Sequence, residues 1–174
     1  MFNLFKKKPK KAKPAPQTKQ PDAPVEVAEP EPKTSDIEVL ISDIAAHKRD
    51  EDYKRFYQLL MAHDLCVPVD LDTLPAGMSS GEKLDVGAPN KVRIRTVRGP
   101  RGALLIPSAT SSDADMVKDG YVRMASADYL GLVRKVAPAW GAIIQGKSSW
   151  IGVDQQRIST ILNEHASVSQ STLH

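Results

Sequence analysis

Apolar residues recur at helical spacing near both ends of the region from residue 35 onward and at strand spacing between them, so the pattern itself proposes an element order. Ile37, Leu40, Ile41 and Ile44 share one face of a helix that Ser35-Asp36-Ile37-Glu38 opens in the manner of a capping box. His47-Lys48-Arg49 ends it, with basic groups where the helix dipole favours them. A second helix is expected from Asp50, burying Tyr53, Phe56, Tyr57 and Leu60. Leu65-Cys66-Val67-Pro68-Val69 predicts a short strand, and Pro68 restricts that position to a sheet edge or a strand end.

Residues 70–90 read as a loop. Val92, Ile94 and Thr96 then alternate with Arg93, Arg95 and Val97, the period of a half-buried strand. Gly99-Pro100-Arg101-Gly102 predicts a turn, Ala103 to Ile106 a buried strand, and Tyr121 to Met124 another. Ser126 is expected to cap a helix carrying Tyr129, Leu130, Val133 and Val136 and stopped by Pro138. Trp140 to Ile144 and Trp150 to Val153 form a hairpin pattern around Gly146-Lys147-Ser148. Asp154 caps a last helix with Ile158, Ile161 and Leu162 inward. The order α-α-β-β-β-β-α-β-β-α predicts an α+β fold, a mostly antiparallel sheet with helices packed on it. No internal repeat is evident.

Charge divides the chain more sharply than length does. Residues 1–35 hold eight lysines against four acids, a balance of +4, whereas the remaining 139 residues carry 16 basic and 17 acidic side chains and sum to −1. Seven of the thirteen prolines also fall in that first stretch, which has too few apolar side chains to offset its ordering entropy. The expected organisation is a disordered Lys/Pro-rich tail over 1–34, an α+β domain over 35–165 and a flexible C-terminus over 166–174. One cysteine excludes a disulfide framework or a Cys-rich zinc module, and four scattered histidines offer no metal set. The sequence contains no catalytic signature, and neither a metal nor a cofactor is expected.

The tail has its own chemistry. Phe2, Leu4 and Phe5 precede Lys6, Lys7, Lys8, Lys10, Lys11 and Lys13. Apolar residues ahead of charges is the reverse of a secretory signal, and no apolar stretch of bilayer-spanning length occurs in the chain. A short apolar tip beside six lysines suits loose attachment to an anionic membrane surface or another polyanion. Each lysine near such a surface contributes about 1 kcal/mol.

Several further features of the sequence have both a functional and a plain structural reading. Gly141-Ala142-Ile143-Ile144-Gln145-Gly146-Lys147-Ser148 satisfies the expression for a phosphate-binding loop. Its middle is strand material, and Ser149-Trp150-Ile151 follows where a helix should start, so a hairpin turn is the expected structure. Lys91, Arg93 and Arg95 lie on one side of a predicted strand, with Arg98 and Arg101 beside the turn. The plain reading is a solvated or charge-protected strand, and the functional one a partner-binding site formed by Arg93, Arg95, Arg98 and Arg101. Cys66 reads as a buried, inert thiol, His47 and His63 as neighbours without a third ligand, Asp113 and Asp115 as solvated loop residues, and Trp140 and Trp150 as packing residues.

The run Arg55-Phe56-Tyr57-Gln58-Leu59-Leu60, followed by Leu65-Cys66-Val67-Pro68-Val69, resembles the opening of the SseB N-terminal domain family, named after an enhanced-serine-sensitivity protein. Leu104-Leu105-Ile106-Pro107-Ser108 stands where that family has a strand ending in Phe-Thr-Ser, and Ala127-Asp128-Tyr129-Leu130 with the following hairpin matches its later helix and Asn-Pro turn. The likeness spans roughly Asp36 to Leu162. Pro107-Ser108 replaces the Phe-Thr pair and Gln145-Gly146 the Asn-Pro turn, so a binding site formed by those elements would be altered here. The resemblance implies a small bacterial cytosolic interaction domain without enzymatic activity. The expected role is therefore a cytoplasmic, non-catalytic module that binds a protein partner, its tail reaching an anionic surface at the inner membrane. The alternatives are a nucleic-acid-associated accessory protein using 91–101 and a nucleotide-binding enzyme using 141–148.

Overall fold

A computed structural model describes residues 34–87, 91–136 and 139–171. The described residues begin with two helices, α1 (Thr34–His47) and α2 (Asp50–Met61), which lead into strand β1 (Asp64–Pro68). A long loop follows, then β2 (Val97–Arg98), β3 (Leu104–Ala109) and β4 (Tyr121–Ala125). Helix α3 (Ser126–Lys135), strands β5 (Ala139–Gln145) and β6 (Trp150–Asp154), and helix α4 (Gln155–Ser171) complete it. The expected element order and fold class hold: this is an α+β fold with a mostly antiparallel sheet.

The sheet runs β4-β1-β3-β5-β6, with β2 also paired to β3. Among the described strand pairs only β3 and β5 run parallel. The period of two in each strand decides which residues meet the helices. Leu65 and Val67 of β1 share the helix face with Ile106 of β3, Val122 and Met124 of β4, Ala142 and Ile144 of β5, and Ile151 and Val153 of β6. Against them pack Ile37, Leu40, Ile41 and Ile44 of α1, Phe56 and Leu60 of α2, Tyr129, Leu130 and Val133 of α3, and Ile158 and Ile161 of α4. Each fully buried side chain of this size contributes about 2 kcal/mol, so the apolar stripes legible in the sequence drive the assembly. The Tyr129 hydroxyl, sealed in this core, donates to the Ile106 carbonyl at 2.6 Å, and burial raises its pKa well above the ordinary tyrosine value.

On the opposite face the loop after β3 folds back, setting Ala114 and Val117 against Cys66 and Ala109. That cover ends before β6.

Several local expectations change. Residues 91–96 form no regular strand: Ile94 makes one isolated antiparallel bridge to Val69, and the paired residues are only Val97 and Arg98. The short loop-side ladder Asp70 N–H to Arg93 O and Arg95 N–H to Pro68 O accounts for the alternation that suggested a longer one. Glu38 does not serve a capping box, because its carboxylate is engaged outside α1. Ser126 is the first helical residue and wholly buried, and its hydroxyl donates to the His63 carbonyl at 2.8 Å. Asp154 caps α4 as expected, accepting from Arg157 N–H at 2.8 Å. Helix α4 continues to Ser171, beyond the boundary expected at 165. Pro68 ends a strand that is interior to the sheet. The tail expected over 1–34 lies outside the described residues except for Thr34.

Candidate interaction surface

The hairpin of β5 and β6 is built around an internal carboxylate. Glu38, one turn into α1, reaches the tip: Thr110 Oγ1 donates to Glu38 Oε1, and Lys147 N–H donates to Glu38 Oε2 at 2.6 Å. Ser42 and Ser148 hydroxyls stand 3.3 Å apart one turn later, so α1 lies along the hairpin. Both glycines of the phosphate-loop expression have a packing reason. A Cβ at Gly141 would sit 2.2 Å from the Val153 carbonyl oxygen, and one at Gly146 would sit 2.6 Å from Glu38 Oε2. The amide that would cradle a phosphate is bonded to Glu38, and strand β6 follows at Trp150 where a nucleotide-binding loop requires a helix. The hairpin reading of 141–148 holds, and the nucleotide-binding alternative loses its structural context.

Two hydrogen bonds fix how this hairpin turns its backbone. Thr110 N–H donates to the Gln145 carbonyl on the β3 side, and Gly146 N–H donates to the Ser149 carbonyl on the β6 side. Peptide groups alternate along a strand, so Ala142 and Ile144 address β6, while Ile151 and Val153 address β5. Trp150 and Gly152 therefore direct their N–H and C=O groups away from the sheet. Strand β6 ends the sheet, and among the described residues no further strand pairs with it.

The side chains here are unusual for a sheet margin. Trp150 is 61 % exposed and Trp140 is 57 % exposed. Both were read as core or sheet-packing residues, and neither lies in the core. Register explains Trp140: Leu104 pairs with Ala139 and Leu105 with Gly141, so Trp140 is the extra residue of a bulge, and a bulge re-aims its side chain. Trp150 stands opposite Gln145 on the face away from the helices, with its ring edge 3.9 Å from where a Gly152 side chain would begin. Beside the β6 edge, a groove of about 450 Å3 is lined by Ile44, Lys48, Tyr53, Ser149, Trp150 and Ile151. Neither Lys48 nor Lys147 forms an ion pair among the described residues. No family model, curated protein or solved structure matches the chain.

The arginines singled out from the sequence are placed elsewhere and differently from one another. Arg93 and Arg95 converge on Asp70, at 3.6 and 3.2 Å, and Arg95 also reaches Asp119 at 3.1 Å. Arg98 is exposed on β2 without an ion pair among the described residues, and the Arg101 side chain is outside them. The group therefore does not form one open cationic stripe, because two of its members are neutralised by acids of the domain. Phe2, Leu4, Phe5, Lys6, Lys7, Lys8, Lys10, Lys11 and Lys13 all lie outside the described residues.

Cys66 is buried under the loop after β3, and desolvation raises its thiol pKa, which disfavours the thiolate. His63 Nδ1 lies 2.9 Å from the Leu59 carbonyl, and His47 is exposed at the end of α1. Asp115 is paired with Lys118, whose ammonium holds the carboxyl below its usual range. Between α2 and α4 the Arg157 guanidinium lies 5.8 Å from the Tyr57 ring centre, and burial pushes the Tyr57 phenol up to about 12. Among the described residues no group of three or more His, Cys, Asp or Glu side chains is placed to hold a metal, and no helix is long and apolar enough to cross a membrane.

Proposed function

We propose that the chain is a non-catalytic interaction module that binds a protein partner at the β6 end of its sheet, a domain of the SseB N-terminal kind. The observation that supports this most is the exposed Trp150 beside outward-facing peptide groups. Exposed aromatic residues over a shallow groove favour partner contact, because they bury large area at low entropic cost. We place the protein in the cytoplasm, peripheral at the inner membrane when the lysine-rich tail meets anionic lipid.

A photo-reactive residue at position 150 tests the partner site. In native-host lysate it is expected to trap one discrete protein, whereas the same residue at exposed Asp72, in the turn after β1, traps none. Equal trapping at both positions overturns the assignment of the site. The tail is tested separately: full-length chain is expected to sediment with phosphatidylglycerol vesicles at low salt, and a chain starting at Ser35 to stay in solution. If both sediment alike, the tail is not the attachment element.

A further inference from the structure

We infer that the partner is held as an added strand: an extended, acidic protein segment with alternating apolar side chains pairs with the free edge of β6. This rests on the protein-binding reading above and specifies the chemistry of the occupant.

Three observations combine. First, the outward N–H and C=O groups of Trp150 and Gly152 stand one pleat apart along a strand that has no neighbour on that side among the described residues. Such groups form a ready template for another backbone, and strand addition is a recurrent mode of peptide capture. Second, the surroundings match the two faces of an added strand. One set of its side chains meets the groove, where half-buried Tyr53 is the apolar side chain left accessible over buried Ile44 and Ile151. The other set meets the Trp150 ring, and Gly152 leaves room for close approach because nothing but that ring lies within 4 Å of its missing side chain.

Third, two lysines stand near the Trp150 end of this edge, while the nearby Glu38 carboxylate is taken up by Thr110 and the Lys147 amide. Lys48 lines the groove and Lys147 sits at the hairpin tip, neither neutralised by an acid among the described residues. Their complement is an acidic segment, since facing charges of opposite sign select a partner and like charges reject one. The edge holds little against a second copy, which would bring the same lysines with it.

The test uses the full chain and two capped nine-residue peptides, one alternating Glu with Val and one alternating Lys with Val. Titration followed by backbone amide NMR is expected to move the Trp150, Gly152 and Lys48 signals with the Glu peptide and to leave them unmoved with the Lys peptide. Gly152→Pro removes one outward donor while leaving the β5 pairing intact, and is expected to weaken binding at least tenfold. The double variant Lys48→Glu with Lys147→Glu carries the same expectation through charge, and keeps the test available should Gly152→Pro fail to fold. Equal binding of the two peptides overturns the acidic assignment. An unchanged affinity in folded Gly152→Pro overturns strand pairing, even where residue 150 still traps a protein and the broader interaction reading stands. Signals of β6 that move with protein concentration in the absence of peptide overturn the proposal in favour of a second copy.

Discussion

Strands β4 and β6 end the same sheet, yet one edge is closed and the other is not. At β4 the loop before β2 lies alongside: Gly81 N–H donates to the Tyr121 carbonyl at 2.8 Å, Arg123 N–H to the Glu82 carbonyl at 2.8 Å, and Leu84 N–H to the Arg123 carbonyl at 2.9 Å. Asp64 then gathers Lys83 at 3.0 Å and Arg123 at 3.2 Å over the same strand. At β6 none of this occurs among the described residues. The strand is held from one side by β5 and from its helix face by α1, while Trp150 stands 61 % exposed at its margin. A sheet protects an edge when pairing there would be harmful and leaves it free where pairing is used, so the contrast is what the proposed strand pairing at β6 rests on.

The largest expected effect comes from detaching the open edge. Gly141→Ala places a methyl group 2.2 Å from the Val153 carbonyl, which is backbone and cannot swing aside. We expect a loss of about 3 kcal/mol in chemical denaturation, the upper range for overpacking. The same substitution at Gly77, in the loop leading to the β4 side, meets no atom within 4 Å and its cost is limited to the positive φ of that residue. Comparable losses at the two glycines would remove the distinction between a strand wedged from within and a loop that only covers.

Glu38→Ala is expected next, at about 2 kcal/mol, because two donors lose a charged acceptor at once. Glu38→Gln should recover part of it, since one acceptor oxygen remains. The ion pairs on Asp64 are more exposed, so Lys83→Ala is expected to cost under about 1 kcal/mol. A larger effect from Lys83 than from Glu38 would reverse the view that α1 fastens the open edge.

Hydrogen exchange reads the edges directly. The amides of Gly81, Leu84 and Arg123 are bonded across the β4 margin, whereas those of Trp150 and Gly152 face outward. We expect the second pair to exchange at least about tenfold faster than the first three. Equal protection would mean that β6 has a neighbour in solution.

Much of the fold was legible because its cause is local. The stripe Ile37, Leu40, Ile41, Ile44 and the alternation Val122, Met124 each bury as their spacing predicts. The site was less so. Trp150 alternates in phase with Gly152 and away from Ile151, which sequence alone could have suggested, but its exposure depends on β6 being last in the sheet, a property of topology. Trp140 is exposed through a bulge, and a bulge is set by the mismatch between two strands rather than by either. Glu38 read as a local cap because its partners, Thr110 and Lys147, are 72 and 109 residues away. Arg93 and Arg95 read as a free basic face because Asp70 and Asp119 become their neighbours only on folding.

The smallest effect is the most discriminating, because it separates stability from binding at one residue. Lys48 links α1 to α2 in the left-handed region, at a φ of 54°, with its N–H bonded to the Ile44 carbonyl at 3.0 Å. Glycine is the residue that this helix ending ordinarily favours, since a side chain there is strained. Lys48→Gly should therefore stabilise the fold, by about 0.5 kcal/mol after the extra freedom of glycine in the unfolded chain is counted. The same change removes one of the two unpaired cations beside the β6 edge, so peptide affinity is expected to fall as stability rises. A strained lysine kept at the lip of an open edge fits a residue retained for what it contacts. If Lys48→Gly stabilises the domain and binds the acidic peptide as well as before, the lysine is there for neither purpose, and the charge at the open edge must come from Lys147 alone.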